Sequence, residues 1–187
     1  MSMMPTPSQT VGPFFAIGLP DAGTELVAPD DPDVVRIVGT IYDGEGEVVP
    51  DAMVEVWQAN RSGRYAHPED TRDELALEEG FLGFGRCGTD AGGGFEFVTV
   101  KPGVVPGRNG AMQAPHIEVS VFARGILKRM ATRIYFPDEP DANEADPVLT
   151  SIEDPDERAT LVAREGDGAL RFDIHLQGDR QTAFFAV

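Results

Sequence analysis

The sequence predicts an all-β fold: an antiparallel β-sandwich with long loops, an extended N-terminal arm and one or two short helices. Short segments of alternating apolar and polar residues recur along the chain, and turn signals separate them. The 187 residues include 21 glycines and 15 prolines, a turn-rich composition that favours strands over helices. The length suits a single domain over residues 1–187, and no internal repeat or linker divides it.

Residues 1–33 are predicted to form the extended arm, because they lack periodicity and carry six prolines. A solvated tail is normally polar. This stretch instead contains the apolar residues Val11, Phe14, Phe15, Ile17 and Leu19. We therefore expect the arm to lie on its own domain or on a neighbouring subunit.

Seven segments have the period-two pattern of a half-buried strand. In one of them, Ile117, Val119 and Val121 fall on one face, while His116 and Glu118 fall on the other. The predicted strands are residues 34–42, 52–58, 84–89, 95–100, 116–123, 129–136 and 170–176.

Two local signals refine this outline. The glycine-rich turn at residues 90–94 predicts that the strands on either side of it pair as a β-hairpin. Asp154 followed by Pro155 is typical of a helix start, and the helix is expected to run to about Arg164.

The composition limits the partners and the location of the protein. With 32 acidic and 15 basic residues the formal net charge is −17, which repels a phosphate backbone and excludes nucleic acid as the main partner. No apolar run is long enough to span a membrane and no secretory signal pattern begins the chain, so a cytoplasmic protein is predicted. The single cysteine, Cys87, excludes an intrachain disulfide and is expected to be a small buried side chain.

His116 and Glu118 are the only pair with the spacing of metal ligands. Two residues apart on a strand, their side chains project the same way and lie about 7 Å apart at the backbone. Together with His67 or His175 they would match the two-histidine, one-carboxylate pattern of non-haem iron sites. The alternative is three unrelated histidines, and the spacing does not decide between these interpretations.

Arg124 is the best candidate for binding an anion, because a guanidinium group can hold a carboxylate with two parallel hydrogen bonds. An arginine that is merely solvated or ion-paired is the alternative. Four other arginines compete for the same role: Arg64, Arg86, Arg129 and Arg133.

Several stretches, in order over nearly the whole chain, resemble the intradiol ring-cleaving dioxygenases. They are TPSQTVGPFF (6–15), VEVWQAN (54–60), GRY (63–65), GR (85–86), TD (89–90), TVKPG (99–103) and PHI (115–117). Within that family, other stretches resemble the alpha subunit of heteromeric members, which does not bind iron. These are GVV (103–105), APHI (114–117), FARG (122–125) and FDI (172–174).

The resemblance implies an antiparallel β-sandwich in a non-haem ferric enzyme of aromatic catabolism, specifically of the β-ketoadipate pathway. Such an enzyme opens the ring of 3,4-dihydroxybenzoate between its hydroxylated carbons with O₂, giving 3-carboxy-cis,cis-muconate. The iron of this family is held by two tyrosines and two histidines, with the histidines placed as His-X-His on one strand.

This sequence departs from the family pattern at three of the four ligands. His116 matches the first histidine, but Glu118 stands in place of the second. Val104 follows the Lys-Pro-Gly turn where one tyrosine is expected. The other tyrosine belongs near Arg72, and the only tyrosine nearby, Tyr65, matches a position that is not a ligand.

An arginine expected just before the histidine strand is also replaced, by Gln113. Because tyrosinate charge is needed to hold ferric iron, the chain is predicted to bind no metal. His116 is then a vestigial ligand position, and no catalytic residue is expected in this chain.

The resemblance implies that this chain works with a partner. Fe(III) is expected on an iron-bearing beta subunit, in a higher alpha–beta oligomer, and this chain alone is predicted to be inactive. Carried over residue by residue, Thr10, Gly12, Pro13 and Arg124 are predicted to complete the substrate pocket of that subunit. Two alternatives remain: a self-sufficient non-haem metalloenzyme that uses His116 and Glu118, and a sandwich-type binding module without chemistry.

Overall fold

Two β-sheets packed face to face form the body of the molecule, which confirms the predicted β-sandwich. The structure is a computed structural model and describes residues 6–19, 22–107 and 110–186. The strands are β1 (Val34–Tyr42), β2 (Met53–Trp57), β3 (Phe84–Gly88), β4 (Gly94–Val100), β5 (Val105–Pro106), β6 (Met112–Gln113), β7 (His116–Phe122), β8 (Met130–Tyr135), β9 (Arg164–Gly166), β10 (Ala169–Arg171) and β11 (Ile174–His175). The α-helices are α1 (Pro13–Gly18), α2 (Pro140–Ala145) and α3 (Pro155–Ala159), and a 3₁₀ turn spans Leu149–Ser151.

The first sheet contains the candidate site. Its order is β3-β2-β7-β8 and every neighbouring pair is antiparallel. The register places Glu118 of β7 directly opposite Arg133 of β8. Along β7 buried and half-buried residues alternate, so Ile117, Val119 and Val121 face the core as the sequence predicts.

The second sheet is built on β1, which pairs with β4 in antiparallel fashion and with β10 and then β11 in parallel. A short antiparallel partner, β9, continues from β10. The apolar side chains between the two sheets form the main core, which includes Ile37, Ile41, Val54, Val56, Phe95, Phe97, Ile117 and Val119.

Segments from outside the sheets cover several of their edges. Gly23 bridges to Arg86 of β3, and Glu25 bridges to Val98 of β4, so residues 22–26 run along both sheets on one side. Across the first sheet, the β8 edge is bridged by Val162 and Phe185. Covering an edge in this way protects its unpaired backbone groups from other chains.

The predicted β-hairpin around residues 90–94 is wrong. Strand β3 belongs to the first sheet and β4 to the second, so the turn carries the chain across the sandwich. The Asp90 side chain accepts hydrogen bonds from the backbone N–H groups of Gly92 and Gly94, both at 2.8 Å, and stabilises the corner. A glycine-rich turn between two alternating segments fits either connection, and only the packing of both sheets distinguishes them.

The predicted strand at residues 170–176 is interrupted. The carboxylate of Asp173 accepts the N–H of Thr40 at 3.1 Å, in the middle of the edge of β1, and so separates β10 from β11. Both fragments run parallel to β1.

The predicted helix after Asp154 begins as expected, with the Asp154 carboxylate accepting the N–H of Asp156 at 2.9 Å. It ends at Ala159 instead of near Arg164. The following residues turn to pair with the β8 edge, where Tyr135 exchanges backbone hydrogen bonds with Leu161 and Ala163.

The arm contains one short helix, α1, where the sequence predicts extended chain. The acidic segment after Phe136 forms α2 and the 3₁₀ turn. In the ranges that the structure describes, no helix is both long and apolar enough to cross a membrane.

Candidate functional site

Strand β7 has candidate site residues at both of its ends. His116 begins the strand, and Arg124 follows its end. Eight residues of extended chain separate them by about 26 Å. They therefore belong to two different sites on the same strand.

At the beginning of β7, His116 is buried and points toward Glu118. Its Nδ1 lies 2.7 Å from the carbonyl oxygen of Ala114, and its Nε2 lies 3.6 Å from Oε1 of Glu118. The pair that the sequence singled out is therefore close in space. The ring of Tyr135 lies beside His116, with the two ring centroids 5.7 Å apart.

The carboxylate of Glu118 is taken by an arginine from the neighbouring strand. Nη2 of Arg133 lies 2.6 Å from Oε1 of Glu118, and Nη1 donates to Oε1 of Gln113 at 2.7 Å. The hydroxyl of Tyr135 lies 3.3 Å from the same Nη1. The Arg133 guanidinium, which comes from β8, therefore contacts three oxygen atoms, one of them on Gln113.

Asp146 completes this cluster, and it was not predicted from the sequence. Its fully buried carboxylate accepts hydrogen bonds from the hydroxyl of Tyr135 at 3.1 Å and from the N–H of Ala114 at 2.8 Å. The N–H groups of Val148 and Leu149 complete the set. The cluster of His116, Glu118, Arg133, Tyr135, Gln113 and Asp146 is called the β7–β8 polar cluster below.

The protonation states in this cluster follow from burial and charge. Burial raises the pKa of Glu118, but the hydrogen bond to His116 and the charge of Arg133 outweigh it and hold that pKa below its ordinary value. Burial is likewise the main cause that raises the pKa of Tyr135, and it does the same for Tyr65. Glu118 is therefore ionised at neutral pH, while both phenols are neutral.

This arrangement does not fit a ferric ion of the intradiol type. In the intradiol pattern the ligands are two tyrosinates and two histidines, and here Val104 and Glu118 stand at two of those positions. The carboxylate of Glu118 is already paired with the guanidinium of Arg133. Within the described residues, no group of three or more histidine, cysteine, aspartate or glutamate side chains is placed to hold a metal ion.

The two-histidine, one-carboxylate cluster considered from spacing is not formed. His67 lies against the indole of Trp57 with ring centroids 6.1 Å apart, and its Nδ1 accepts the N–H of Glu69. His175 stacks on Tyr42 in the other sheet, with ring centroids 4.8 Å apart. Neither histidine reaches His116, because each is fixed by a different aromatic partner.

Beyond the end of β7, the arm packs beside Arg124. The N–H of Gly125 donates to Oγ1 of Thr10 at 2.8 Å, and the Thr10 hydroxyl lies 3.5 Å from the carbonyl oxygen of Ala123. The rings of Phe15 and Phe122 are 5.3 Å apart. Thr10 is thus joined to the residues on both sides of Arg124.

Gly12 and Pro13 follow Thr10 at the start of α1, where Gly12 is the N-cap residue and Pro13 takes the first helical position. No atom lies within 4 Å of where a Cβ on Gly12 would be, so this part of the arm is open. The structure therefore places Thr10 beside Arg124 and Gly12 two residues further along the arm. Two large apolar side chains of α1, Phe14 and Ile17, are 82% and 74% exposed.

Arg124 itself is 79% exposed and pairs with Asp51 across the surface. Two of its competitors have inward partners: Arg86 binds Glu55, and Arg64 donates to the carbonyl oxygen of Leu75. Arg133 belongs to the β7–β8 polar cluster. Arg129 is exposed and makes no ion pair with any residue that the structure describes.

A charge pattern that was not noticed in the sequence supports anion binding at the end of β7. Residues 119–137 contain no acidic side chain, although the whole chain carries 32. The basic residues in that stretch are Arg124, Lys128, Arg129 and Arg133. The loop after β7 is therefore locally positive on a strongly acidic protein, and a scan for windows without acidic residues would have found it.

Replacing Thr10 with valine tests whether the arm is fixed beside Arg124. Valine keeps the shape of threonine but loses the acceptor for the Gly125 N–H, and we expect a loss of about 1 kcal/mol in arm docking. Hydrogen exchange at the Gly125 amide should then become roughly fivefold faster. Thr6→Val is the matched control, because Thr6 is exposed in the same arm. Unchanged exchange at Gly125 would show that this contact is not formed.

Comparison with known proteins identifies the class. A family model described as "Dioxygenase" matches residues 11–178. The chain belongs to the intradiol dioxygenase family, whose members are iron-dependent enzymes. Among solved structures, the dioxygenase domain of a dioxygenase carbohydrate-binding protein fusion from Streptomyces sp. SirexAA-E superposes with a TM-score of 0.57. It is 27% identical and covers 94% of this chain and 99% of its own.

The particular relatives are subunits of one enzyme. The protocatechuate 3,4-dioxygenase alpha chain of Pseudomonas putida is 43% identical, over 96% of this chain and 95% of its own length. The protocatechuate 3,4-dioxygenase beta chain of Burkholderia cepacia is 38% identical, over 65% of this chain and 58% of its own length. The chain is therefore similar to an alpha chain over nearly its full length and to a beta chain over a shorter part.

Proposed function

We propose that this chain is the alpha subunit of a protocatechuate 3,4-dioxygenase and that it works without iron of its own. The similarity to an alpha chain over 96% of the sequence supports the subunit type. The observation that carries the proposal is the ion pair between Glu118 and Arg133. It commits the carboxylate that faces His116 to an internal cation.

The iron is then expected on a beta subunit, and the similarity to a beta chain supports such a partner. Two homologous chains of this kind can associate about a pseudo-twofold axis, because each presents a related surface to the other. The exposed apolar residues of α1 favour an arm that extends onto a neighbour, since Phe14 and Ile17 remain uncovered in the isolated chain. Higher alpha–beta oligomers are part of the same proposal.

The contribution of this chain to the reaction is made at the end of β7. Arg124 supplies a guanidinium cation to the carboxylate of 3,4-dihydroxybenzoate, which otherwise approaches a protein of net charge −17. The arm beside it, through Thr10, Gly12 and Pro13, forms one wall of the pocket and limits the access of water. Bound iron and O₂ supply the ring-opening chemistry that gives 3-carboxy-cis,cis-muconate.

Reconstitution from separate chains tests the proposal. This chain and an iron-bearing beta chain are purified apart, and oxygen uptake with 3,4-dihydroxybenzoate is measured for each and for the mixture. We expect no turnover by this chain alone and at least a tenfold gain when it is added to beta. Turnover by this chain alone would favour the self-sufficient metalloenzyme.

The binding-module alternative predicts a different outcome in the same experiment. A module without a role in the reaction would leave the activity of beta unchanged and would not co-elute with it. The cytoplasmic location stays a prediction from the sequence.

A further inference from the structure

The β7–β8 polar cluster holds a fixed positive charge where family members are expected to hold a metal. We propose that the Arg133 guanidinium is a built-in cation which fills the vestigial ligand pocket and excludes metal ions from it. The loss of ligands alone would leave a weak metal site, and the guanidinium of Arg133 blocks what remains of that site. The inference rests on the proposed function only in taking the natural chain to be iron-free.

The contacts of Arg133 are those of a bound cation. Its guanidinium meets oxygen atoms of Glu118, Gln113 and Tyr135 at 2.6, 2.7 and 3.3 Å. Its Cζ also lies 5.8 Å from the ring centroid of Phe185, on the face where cations bind aromatic rings. Only 14% of the side chain is exposed. A convergent set of oxygen acceptors around a mostly buried guanidinium therefore already has its positive charge.

His116 retains the orientation of a metal ligand. One of its ring nitrogens, Nδ1, faces the carbonyl oxygen of Ala114 at 2.7 Å. Histidines that bind metals usually donate the second ring N–H to such an oxygen, which turns the other nitrogen toward the ion. Here that other nitrogen, Nε2, is directed at Glu118, and the side chain is 2% exposed.

A metal ion and the Arg133 guanidinium would compete for the same carboxylate. Oε1 of Glu118 is the atom that lies 3.6 Å from Nε2 of His116, and it is also the atom that binds Nη2 of Arg133 at 2.6 Å. A metal ion bound to that oxygen would have to displace the guanidinium. A metal ion on the second oxygen of the same carboxylate would still lie beside the guanidinium charge, and two cations held so close together repel each other.

The side chain of Arg133 cannot easily move away from Glu118 or lose its charge. The strand register fixes it opposite Glu118, and an arginine side chain does not lose its proton in the pH range where proteins fold. Its Nη1 also donates to Oε1 of Gln113 at 2.7 Å, which holds the guanidinium in place beside Glu118.

Cobalt binding to the full-length chain tests the inference. Co²⁺ is the probe, because its visible absorption reports coordination and its binding can be followed by equilibrium dialysis. We expect Arg133→Ala to bind one Co²⁺ per chain at least tenfold more tightly than the natural chain. The double variant H116A/R133A should lose that gain. Arg129→Ala, which removes an exposed arginine of the preceding loop, is the matched control and should behave as the natural chain does.

The result remains decisive if Arg133→Ala folds poorly. Co²⁺ should then restore a cooperative thermal transition to that variant and should not do so for H116A/R133A. Equal cobalt binding by the natural chain and Arg133→Ala, or no effect of removing His116, would overturn the inference. Neither outcome bears on reconstitution with beta, so failure here and failure of the proposed function are distinguishable.

Discussion

Replacing Arg124 with alanine in the alpha–beta complex is expected to raise KM for 3,4-dihydroxybenzoate about thirtyfold, with a smaller change in kcat. A hydrogen-bonded ion pair between a guanidinium and a carboxylate contributes about 2 kcal/mol, which corresponds to that factor in affinity. The loss falls mainly on KM because the substrate carboxylate is charged in the ground state as well as in the transition state. Steady-state oxygen uptake measures both constants.

Two comparisons show whether the effect belongs to the carboxylate. Catechol, which lacks that group, should be used equally well by the natural complex and by Arg124→Ala. Arg129→Ala removes another exposed arginine from the same loop and should leave KM for 3,4-dihydroxybenzoate within twofold. A KM that does not change in Arg124→Ala would remove this residue from the substrate pocket.

Replacing Arg133 with methionine is expected to lower the free energy of unfolding by about 2 kcal/mol. Breaking an ion pair by removing one partner leaves the other charge without compensation, and fully buried pairs lose about 3–5 kcal/mol in this way. The smaller figure is expected here because the Glu118 side chain is 37% exposed and can be partly hydrated. Urea unfolding followed by tryptophan fluorescence measures the difference, since Trp57 is the only tryptophan.

The double variant E118Q/R133M supplies the control for this prediction. Neutralising Glu118 removes the uncompensated charge, so the double variant should recover more than half of the stability lost in R133M. Larger destabilisation in the double variant would contradict the ion-pair explanation.

The pH dependence of the same pair has a definite sign. The pKa of Glu118 is lowered in the folded state, so the pair contributes fully above the ordinary glutamate pKa. That contribution is lost as the pH falls through the lowered value. The stability difference between the natural chain and E118Q/R133M should therefore narrow in acid.

Local patterns in the sequence were sufficient for the longest strands. Val34–Tyr42 is a strand over the predicted range, and β7 begins at His116 as predicted, because alternation is a property of neighbouring residues. The hairpin prediction at residues 90–94 failed since it depended on which sheet each strand joins. The interruption at Asp173 depended on a hydrogen bond to Thr40, which is 133 positions away.

The difference between local and long-range signals also decides what could be predicted of the two sites. The His116–Glu118 pair is local, and its spacing was visible in the sequence. Arg133 and Asp146 complete the cluster from β8 and from beyond α2, so no spacing rule could connect them to His116. The contact between Thr10 and Gly125 spans 115 positions, and the family resemblance was the only sequence signal that linked the arm to Arg124.

The most direct test of the central claim is the iron content of this chain when it is purified without a beta partner. The account predicts less than one-tenth of an equivalent of iron per chain, no visible tyrosinate-to-iron absorption and no oxygen uptake with 3,4-dihydroxybenzoate. One equivalent of iron with that absorption, in this chain alone, would contradict it.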